Sequence, residues 1–506
     1  MKNKFKFLLI PVLSLLLFAC SSVTEETNSN QENNSSENTN NNNGSDNNQN
    51  GSTDNNNNPP ETDINENNNT SEDNNPPEET KLNPMNEPYI AQQYYLNHIG
   101  DIYSAWGTYR GKGTFIAVID VGFNPYHEDF YYADGTSKVL ELSASFTTNS
   151  SGVTSTSVGI DKVVNMGESH GTFCAGVAAA AINGKGVVGI APEASLLLLK
   201  TDLKPKSIVA AFKYAADHDV TVVTISIGSY YDYTGDLVND GSDLGTVFDS
   251  AVKYCYDKDI PVISAGGNGG LDNQPTEFTF PGCVDYVIGV GGLKSNSSTE
   301  IWYGSSYNSS PEWQSIDVFA PANNMFGCCH YDNKIYDYGW DGTSFASPIV
   351  AGLACLYFEK NPNAHASQFE SDLYASCIAL PGTDKVKANQ LGHGRVDAGR
   401  LLKLTSPGKV TVTCRSPWDT CYAYVWNSVT GVKLSNWPGT SITSKLPYSL
   451  EIDTSLYDSV IFTKGNNGPQ TPDLLVSSFI YGNGYDLNHT TEYSMSNILI
   501  GSYYNL

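Results

Sequence analysis

Short apolar runs alternate with longer amphipathic segments through the middle of this 506-residue chain. This alternation restricts the fold more than any other feature of the sequence. Buried strands are predicted at residues 114–120, 195–200, 220–227, 261–265 and 286–290. Helices are predicted at residues 171–181, 207–216, 244–256 and 344–358. Apolar strands separated by helices form a parallel sheet covered on both faces. We therefore expect an α/β fold whose functional residues lie at the carboxyl ends of the strands.

The charge and the polar N-terminal region limit the choice of partners. The formal net charge is −26, and residues 21–80 contain acidic side chains but neither Lys nor Arg. Such a balance argues against nucleic acid as a partner. Because this region is rich in Asn and almost free of apolar residues, it cannot bury a core. Residues 21–82 are predicted to be a disordered tether.

The first residues, MKNKFKFLLIPVLSLLLFAC, have the pattern of an export signal. Three lysines precede an apolar run that is too short to span a membrane and remain there. LFAC followed by two serines resembles a bacterial lipobox, although Phe18 departs from the small or aliphatic residue usual at that position. The resemblance implies removal of residues 1–20 as the signal, a lipid on Cys20, and anchoring on the bacterial cell surface or the extracellular face of a membrane. The alternative is that Cys20 follows an ordinary signal peptide.

Three short segments place reactive side chains at strand ends and helix starts. Asp120 closes the strand in VIDVG, His170 opens the segment SHGTFCAGVAAAA, and Ser344 opens a helix in DGTSFASPIVAG. A serine hydroxyl attacks only when a base takes its proton, and a carboxylate orients that base. Free N–H groups at a helix start can stabilise an oxyanion beside the serine. Pro348 falls near the first turn, where a missing N–H costs least.

Taken singly, each of these residues has a structural interpretation. An Asp at a strand end is usually a turn residue, a His before Gly is usually a cap, and a Ser at a helix start is usually an N-cap. The three segments together, in this order, resemble the subtilisin-like serine proteases over about residues 90–403. The resemblance implies a peptidase domain at residues 83–405, a catalytic triad of Asp120, His170 and Ser344, and protein or peptide substrates.

Two further segments carry the same resemblance. ISAGGNGG contains Asn268, which the resemblance makes the side-chain donor of the oxyanion hole. TISIG resembles the strand that lines the primary specificity pocket and pairs with the substrate backbone. The residues implied in substrate binding are Ser226, Ile227, Gly228 and Gly267. Since no acidic residue stands among them, unlike in the kexin-type branch, we expect an apolar or broad preference before the cleaved bond.

No cofactor is required for this chemistry, and no metal site is predicted. His127 and His393 are interpreted as noncatalytic, with His127 on the surface or in a structural role. Acidic loops hold calcium in some subtilisin-like proteases, and Glu128 and Asp129 lie in such a loop. Their spacing does not form a recognisable set of calcium ligands.

Ten cysteines are present, and nine remain when Cys20 is set aside. The odd number leaves at least one thiol unpaired. Cys174, directly after the predicted base, is expected to be a free, buried core residue. Cys414 and Cys421 flank RSPWDT and could close a hairpin, since disulfides are allowed in an exported protein.

After residue 405 the sequence changes to short alternating runs separated by turn residues. Residues 406–506 are predicted to form a small all-β sandwich. A period of two in CYAYVW puts Tyr422, Tyr424 and Trp426 on one face.

This part of the chain resembles the starch-binding modules of carbohydrate-binding module family 26 in three segments, SPWDTCYAYVWN, NWPGT and NNGPQTPDL. The resemblance implies binding of starch or a related α-glucan, with Tyr422, Tyr424 and Trp437 stacking on sugars and Gln470 bonding hydroxyls.

Several alternatives stay open at the level of sequence. The aromatic residues of the sandwich could instead form its core, and the domain could be structural or bind protein. The whole chain could be a glycan-binding surface pseudoprotease, which the intact catalytic positions disfavour. A glycan-processing enzyme is disfavoured because no paired carboxylate site is evident.

Overall fold

The computed structural model describes residues 82–230, 244–270, 279–308, 315–405, 408–444, 447–492 and 499–505. The predicted signal peptide, Cys20 and the tether up to residue 81 lie outside these residues. Among the helices that the structure describes, none is long and apolar enough to cross a membrane.

The secondary structure falls into an α/β part followed by an all-β part. The α-helices are α1 Ile102–Trp106, α2 His170–Ala179, α3 Pro205–Asp217, α4 Leu244–Tyr256, α5 Thr343–Lys360, α6 Ala366–Ser376 and α7 Ala398–Leu401. The strands of the first part are β1 Phe115–Asp120, β2 Ala144–Thr148, β3 Thr154–Val158, β4 Ser195–Thr201, β5 Val222–Ile225, β6 Ser229–Tyr230, β7 Val262–Ala265, β8 Thr279–Phe280, β9 Val287–Leu293, β10 Val318–Pro321, β11 Met325–Cys328 and β12 Tyr336–Trp340. The strands of the second part are β13 Lys409–Arg415, β14 Cys421–Trp426, β15 Thr440–Ile442, β16 Tyr448–Asp453, β17 Ser459–Thr463, β18 Leu474–Leu475, β19 Asn483–Glu492 and β20 Leu499–Asn505.

The α/β part is built on an eight-stranded sheet in the order β10-β9-β7-β5-β1-β4-β2-β3. All neighbours are parallel except the edge pair β2 and β3. The five strands predicted from apolar runs form the centre of this sheet, so the expected fold class is confirmed. Strands β2, β3 and β10 were not predicted; β2 and β3 are rich in Ser and Thr, and β3 is largely exposed.

Helices cover both faces of this sheet, and strand β1 shows why. Ile116 and Val118 belong to a core that includes α2 and α5, whereas Ala117 and Ile119 belong to a second core that includes α3 and α4. Since successive side chains of a strand point to opposite faces, a strand buried on both sides must be apolar throughout. The near-continuous apolar character of β1 therefore follows from its place between two helical layers.

The all-β part consists of two four-stranded sheets, in the orders β16-β13-β19-β20 and β15-β14-β17-β18. Alternate residues of β13 and β14, including Val412 and Ala423, meet in a separate core between the sheets. The predicted β-sandwich at the C-terminal end of the chain has this architecture.

The sandwich packs against the residues that precede β1, and residues 82–506 belong to one unit. The Tyr481 hydroxyl donates to the carbonyl oxygen of Tyr103 at 2.8 Å, and Asn97 Nδ2 donates to the carbonyl oxygen of Asp473 at 2.9 Å. Leu475 of β18 is buried in the core that contains α2 and α5. The described residues that precede β1 thus contact both sheet systems.

Among the described residues, the cysteines from Cys174 onward form no disulfide. Cys174 is buried in the core, as predicted. Cys414 and Cys421 do not close a hairpin within one sheet, because β13 and β14 belong to opposite sheets of the sandwich. Their thiols are neighbours, since a hydrogen bond between them and burial raise the pKa of Cys414.

Candidate active site

Asp120 and His170 form a buried hydrogen-bonded pair. Nδ1 of His170 lies 3.0 Å and 2.9 Å from the two carboxylate oxygens of Asp120. The carboxylate is held from its other side by the backbone N–H of Val121, which donates to Oδ1 at 2.8 Å. Because Nδ1 faces an acceptor, it carries the proton in the neutral ring, and Nε2 is left as the basic atom. The pair has the arrangement of an oriented general base.

A glycine allows the helix of His170 to approach the end of β1 closely. A Cβ atom at Gly171 would lie 2.3 Å from the carbonyl oxygen of Gly122 and 3.0 Å from Cβ of Asp120. Both the acid and the base are therefore held by backbone elements in direct contact.

The net effect of the surroundings is to raise the pKa of His170 above its usual value of 6.5. Burial by itself lowers the pKa, since it disfavours the imidazolium. The charge of Asp120 and the hydrogen bond to it outweigh this effect, and the charge of Glu168 acts in the same direction. Protonated His170 is thus stabilised. A general base needs this stabilisation because it holds a proton during the reaction.

Ser344 is the second residue of helix α5, so its N–H lies in the first turn and has no acceptor within the helix. The helix starts after Gly342, whose φ of 155° is a conformation that glycine adopts far more easily than other residues.

The sequence interpretation of Pro348 was wrong. Pro348 is the sixth helical residue rather than a first-turn residue, and it removes the helical hydrogen bond to the carbonyl of Ser344.

Two side chains satisfy that carbonyl oxygen instead. The Ser226 hydroxyl donates to it at 2.7 Å, and the Cys174 thiol donates at 3.4 Å. Cys174 lies on the helix of His170, and its Sγ is within 4.8 Å of the donor atoms of His170 and Asp120. The same thiol thereby links the backbone of Ser344 to the acid–base pair. Since His170 and Asp120 are hydrogen-bonded to each other, their facing atoms are already paired.

The Ser344 hydroxyl donates to the carbonyl oxygen of Ser226 at 3.1 Å. Nε2 of His170 is buried and has no hydrogen-bond partner among the described residues. Catalytic hydrogen bonds are often long or unformed without substrate and tighten in the complex. Here the Ser344 hydroxyl is bonded to Ser226 rather than to Nε2 of His170.

Asn268 lies beside the start of helix α5, and its amide orientation is determined by Thr343. Both the backbone N–H and the hydroxyl of Thr343 donate to Asn268 Oδ1, at 2.9 Å and 2.8 Å. The Thr343 hydroxyl in turn accepts from the N–H of Gly267 at 3.0 Å. Because both Thr343 groups are donors, the atom facing them is oxygen, and the NH₂ group of Asn268 points away. Thr343 was not singled out by sequence, although it stands in the GTS motif.

The residues predicted to bind substrate surround this site, but they differ in role. Ser226 is buried, and its side chain contacts the Ser344 carbonyl and the Ser347 hydroxyl, at 2.7 Å and 3.0 Å, so it supports the start of helix α5. Ile227 is buried as well, and Gly228 is half-buried. Gly267 has a φ of 104°, and its carbonyl accepts from the N–H of Ser306 at 2.9 Å.

The ring of Phe345 lies 5.7 Å from the ring of His170. Sequence reasoning missed this contact, because neither its position in the motif nor its residue type pointed to a role.

The aromatic residues of β14 lie on the outer side of the sandwich. Ala423 and Val425 are buried in the sandwich core, while Tyr422, Tyr424 and Trp426 between and after them are half-buried. The predicted common face is confirmed, and the alternative in which these rings form the core is wrong.

Trp437 extends this aromatic face. Its side chain is 39% exposed, and its ring lies 5.4 Å from that of Tyr424. The turn is close to β14 because Gly439 has no side chain: a Cβ there would lie 2.2 Å from the carbonyl oxygen of Ala423. Thr463 is the β-sheet partner of both Tyr422 and Gln470. Because directly opposed residues of neighbouring strands point to the same face, Gln470 lies on the face of Tyr422. Together these residues form an exposed aromatic surface with an amide beside it.

Residues 111–394 match the model of the Subtilase family. The chain is 29% identical to Subtilisin DY of Bacillus licheniformis over 277 residues, which are 54% of this chain and 86% of that protein. It is 28% identical to Thermitase of Thermoactinomyces vulgaris over 324 residues, which are 63% of this chain and 99% of that protein.

Solved structures show the same fold. A protease of Pseudoalteromonas arctica superimposes with a TM-score of 0.51 at 22% identity, covering 63% of this chain and 99% of that one. An epidermin leader peptide processing serine protease of Staphylococcus aureus gives 0.51 at 19% identity, covering 64% of this chain and 82% of that one.

Proposed function

This chain belongs to the subtilase family and is a serine endopeptidase, and we propose that Asp120, His170 and Ser344 are its catalytic triad. The observation that carries the assignment is the buried pair of Asp120 and His170, 2.9 Å apart, with the basic Nε2 left free. Asn268 and the N–H of Ser344 form the oxyanion hole in this proposal.

The chemistry follows from these positions. The Ser344 hydroxyl turns from Ser226 to His170, which accepts its proton as Oγ bonds to the peptide carbonyl carbon. Asp120 stabilises the imidazolium, and the negative oxygen accepts hydrogen bonds from Asn268 and the Ser344 N–H. His170 then gives the proton to the leaving amine, and an acyl-enzyme remains. Water, deprotonated by His170, releases the acid product and restores Ser344.

A fluorophosphonate probe tests the nucleophile, because it reacts with an activated serine. We expect stoichiometric labelling of the wild-type protein and none of Ser344→Ala. Turnover in the variant should fall about a million-fold, a magnitude measured in subtilisin. Asn268→Ala, with the nucleophile intact, should lose about 100-fold to 1000-fold in turnover, again the subtilisin value. Folded wild-type protein that takes no label would favour a pseudoprotease.

An apolar or broad preference before the cleaved bond is proposed because none of the predicted substrate-binding residues, Ser226, Ile227, Gly228 and Gly267, is acidic. A peptide library checks it, and cleavage confined to bonds after Lys or Arg would refute it.

We further propose that the sandwich binds starch or a related α-glucan. The support is the outward aromatic face of Tyr422, Tyr424 and Trp437, with Gln470 beside it, because flat rings stack on sugar C–H faces and amides bond hydroxyls. Trp437→Ala should abolish retention on an amylose gel. Leu434→Ala is the matched control, since Leu434 is 42% exposed in the same connection but carries no ring. Equal mobility of wild type and Trp437→Ala would contradict the proposal and leave a structural or protein-binding domain.

We also propose that the protein is exported and held by a lipid on Cys20 at the bacterial cell surface. The support is the signal-like sequence of residues 1–20. Incorporation of an alkyne-tagged fatty acid into wild type but not into Cys20→Ser is the expected result. Equal incorporation, or none in either protein, would exclude this anchor.

A further inference from the structure

A second cluster of metal-ligating side chains lies apart from the residues that act in peptide hydrolysis. A ring nitrogen of His127, a carboxylate oxygen of Asp129 and Sγ of Cys328 all lie within 4.8 Å of one another. All three residues are fully buried, at 0% exposure. His127 was expected on the surface or in a structural role, and its burial excludes the first of these.

We propose that His127, Asp129 and Cys328 form a structural binding site for a divalent transition-metal ion, with zinc as the best match. Zinc is bound by thiolate, imidazole and carboxylate, commonly in tetrahedral geometry. With metal–ligand distances of about 2.0–2.3 Å, tetrahedral ligand atoms are about 3.3–3.8 Å apart. In the structure Cys328 Sγ lies 3.6 Å from Asp129 Oδ2, to which the thiol donates a hydrogen bond.

The surroundings orient these side chains as ligands. Nε2 of His127 lies 3.0 Å from the carbonyl oxygen of Ile335, so it carries the proton and leaves the Nδ1 lone pair free to bind. Within the described part of the chain, Nδ1 accepts one long hydrogen bond, 3.3 Å, from the N–H of Asp129. The N–H of Val187 donates to Asp129 Oδ2 at 3.0 Å. Metal-binding residues typically have such outer hydrogen bonds.

One oxygen of the cluster lacks any partner. Asp129 Oδ1 is buried and has no hydrogen bond among the described residues. Burial raises the pKa of Asp129 to about 7 and that of Cys328 well above its usual value. The buried amine of Lys138 donates to the carbonyl oxygens of Ala179 and Pro192. A bound divalent ion would satisfy Oδ1 and offset the charges of the carboxylate and thiolate.

The donor set favours a transition metal over calcium. Calcium takes six to eight oxygen ligands, whereas a thiolate and an imidazole suit zinc. Three protein ligands leave the fourth tetrahedral position to water.

The site would stabilise the far end of the helix that begins with His170. Cys328 ends β11 and packs on helix α2, where a Cβ at Gly176 would lie 2.7 Å from its Sγ. Just beyond that helix, the N–H of Ala181 donates to the carbonyl oxygen of Asp129 at 2.9 Å. An ion here would tie β11 and the loop of Asp129 together beside this helix.

Cobalt(II) is the probe, used on the full chain with Ser344→Ala to prevent self-cleavage and with no histidine tag. After removal of metal by a chelator, one equivalent of cobalt should bind with a thiolate-to-cobalt charge-transfer band. Zinc should displace cobalt and raise Tm, on the order of 4 °C at a hundredfold excess over Kd.

Cys328→Ser should abolish the charge-transfer band. Cys329→Ser is the matched control, a buried thiol at the next position, and Cys174→Ser tests the catalytic cluster; both should keep the band. His127→Gln should weaken cobalt binding about 10-fold or more, and decides the matter if Cys328→Ser does not fold. A band that persists in Cys328→Ser, or a protein stabilised by calcium alone, would overturn the proposal.

Discussion

The carbonyl oxygen of Ser344 accepts hydrogen bonds from the Ser226 hydroxyl and the Cys174 thiol, at 2.7 Å and 3.4 Å, where Pro348 leaves it without a helical donor. A proline at this position would ordinarily cost the helix about 3 kcal/mol or more. Here the missing helical bond leaves the Ser344 carbonyl open to Ser226, which directly follows β5, and to Cys174 of helix α2. The position of Ser344 is therefore determined by three elements rather than by its own helix alone.

Activity should fall at acid pH with a midpoint above 6.5, because the pKa of His170 is raised and only the neutral ring accepts the proton of Ser344. Asp120→Asn removes the charge that raises this pKa, so the acid limb should move to lower pH. Turnover should also fall about 10,000-fold, as the ring loses its orientation. The measurement is kcat/KM against pH for both proteins. An acid limb at unchanged pH in the variant would contradict this account.

At the scale of elements, glycines set how closely helix α2 approaches β1. A methyl group at Gly171 would lie 2.3 Å from the backbone oxygen of Gly122, which cannot yield as a flexible side chain could. The distance between Asp120 and His170 thus depends on Gly171, which itself performs no chemistry.

Gly171→Ala should lower kcat/KM about 100-fold, since displacement of a catalytic group by about 1 Å has effects of that size. Gly167→Ala is the matched control in the preceding loop, because its Cβ would meet only Asn165 Oδ1, at 3.4 Å. Peptide hydrolysis and Tm should be measured for both. Unchanged activity in Gly171→Ala would show that the helix can shift without harm.

At the scale of the whole molecule, the sandwich is part of the same folded unit as the peptidase. Leu475 of the sandwich is 6% exposed and belongs to the core that contains α2 and α5. The hydrogen bond from Tyr481 to Tyr103 joins the same two parts at 2.8 Å. The stability of the catalytic part therefore depends on residues far along the chain.

Leu475→Ala should lower the free energy of unfolding by about 2–5 kcal/mol, the usual cost of such a cavity. The loss should appear in the peptidase as well as in the sandwich, as one shifted transition. Leu456→Ala is the control, since Leu456 is 52% exposed, and it should change stability by less than about 0.5 kcal/mol. Denaturant unfolding in the Ser344→Ala background measures both. Two separate transitions, with only one shifted, would contradict a shared core.

Local patterns in the sequence were enough to predict several features of this protein. The central strands, the positions of Asp120, His170 and Ser344, and the outward face of Tyr422 and Tyr424 follow from local patterns, because strand and helix periodicity is a property of neighbouring residues. Tertiary structure alone decided which distant groups meet. Asp129 and Cys328 are 199 positions apart, and Asn97 and Asp473 are 376 apart. Such contacts depend on how whole layers pack, and no short stretch of sequence contains that information.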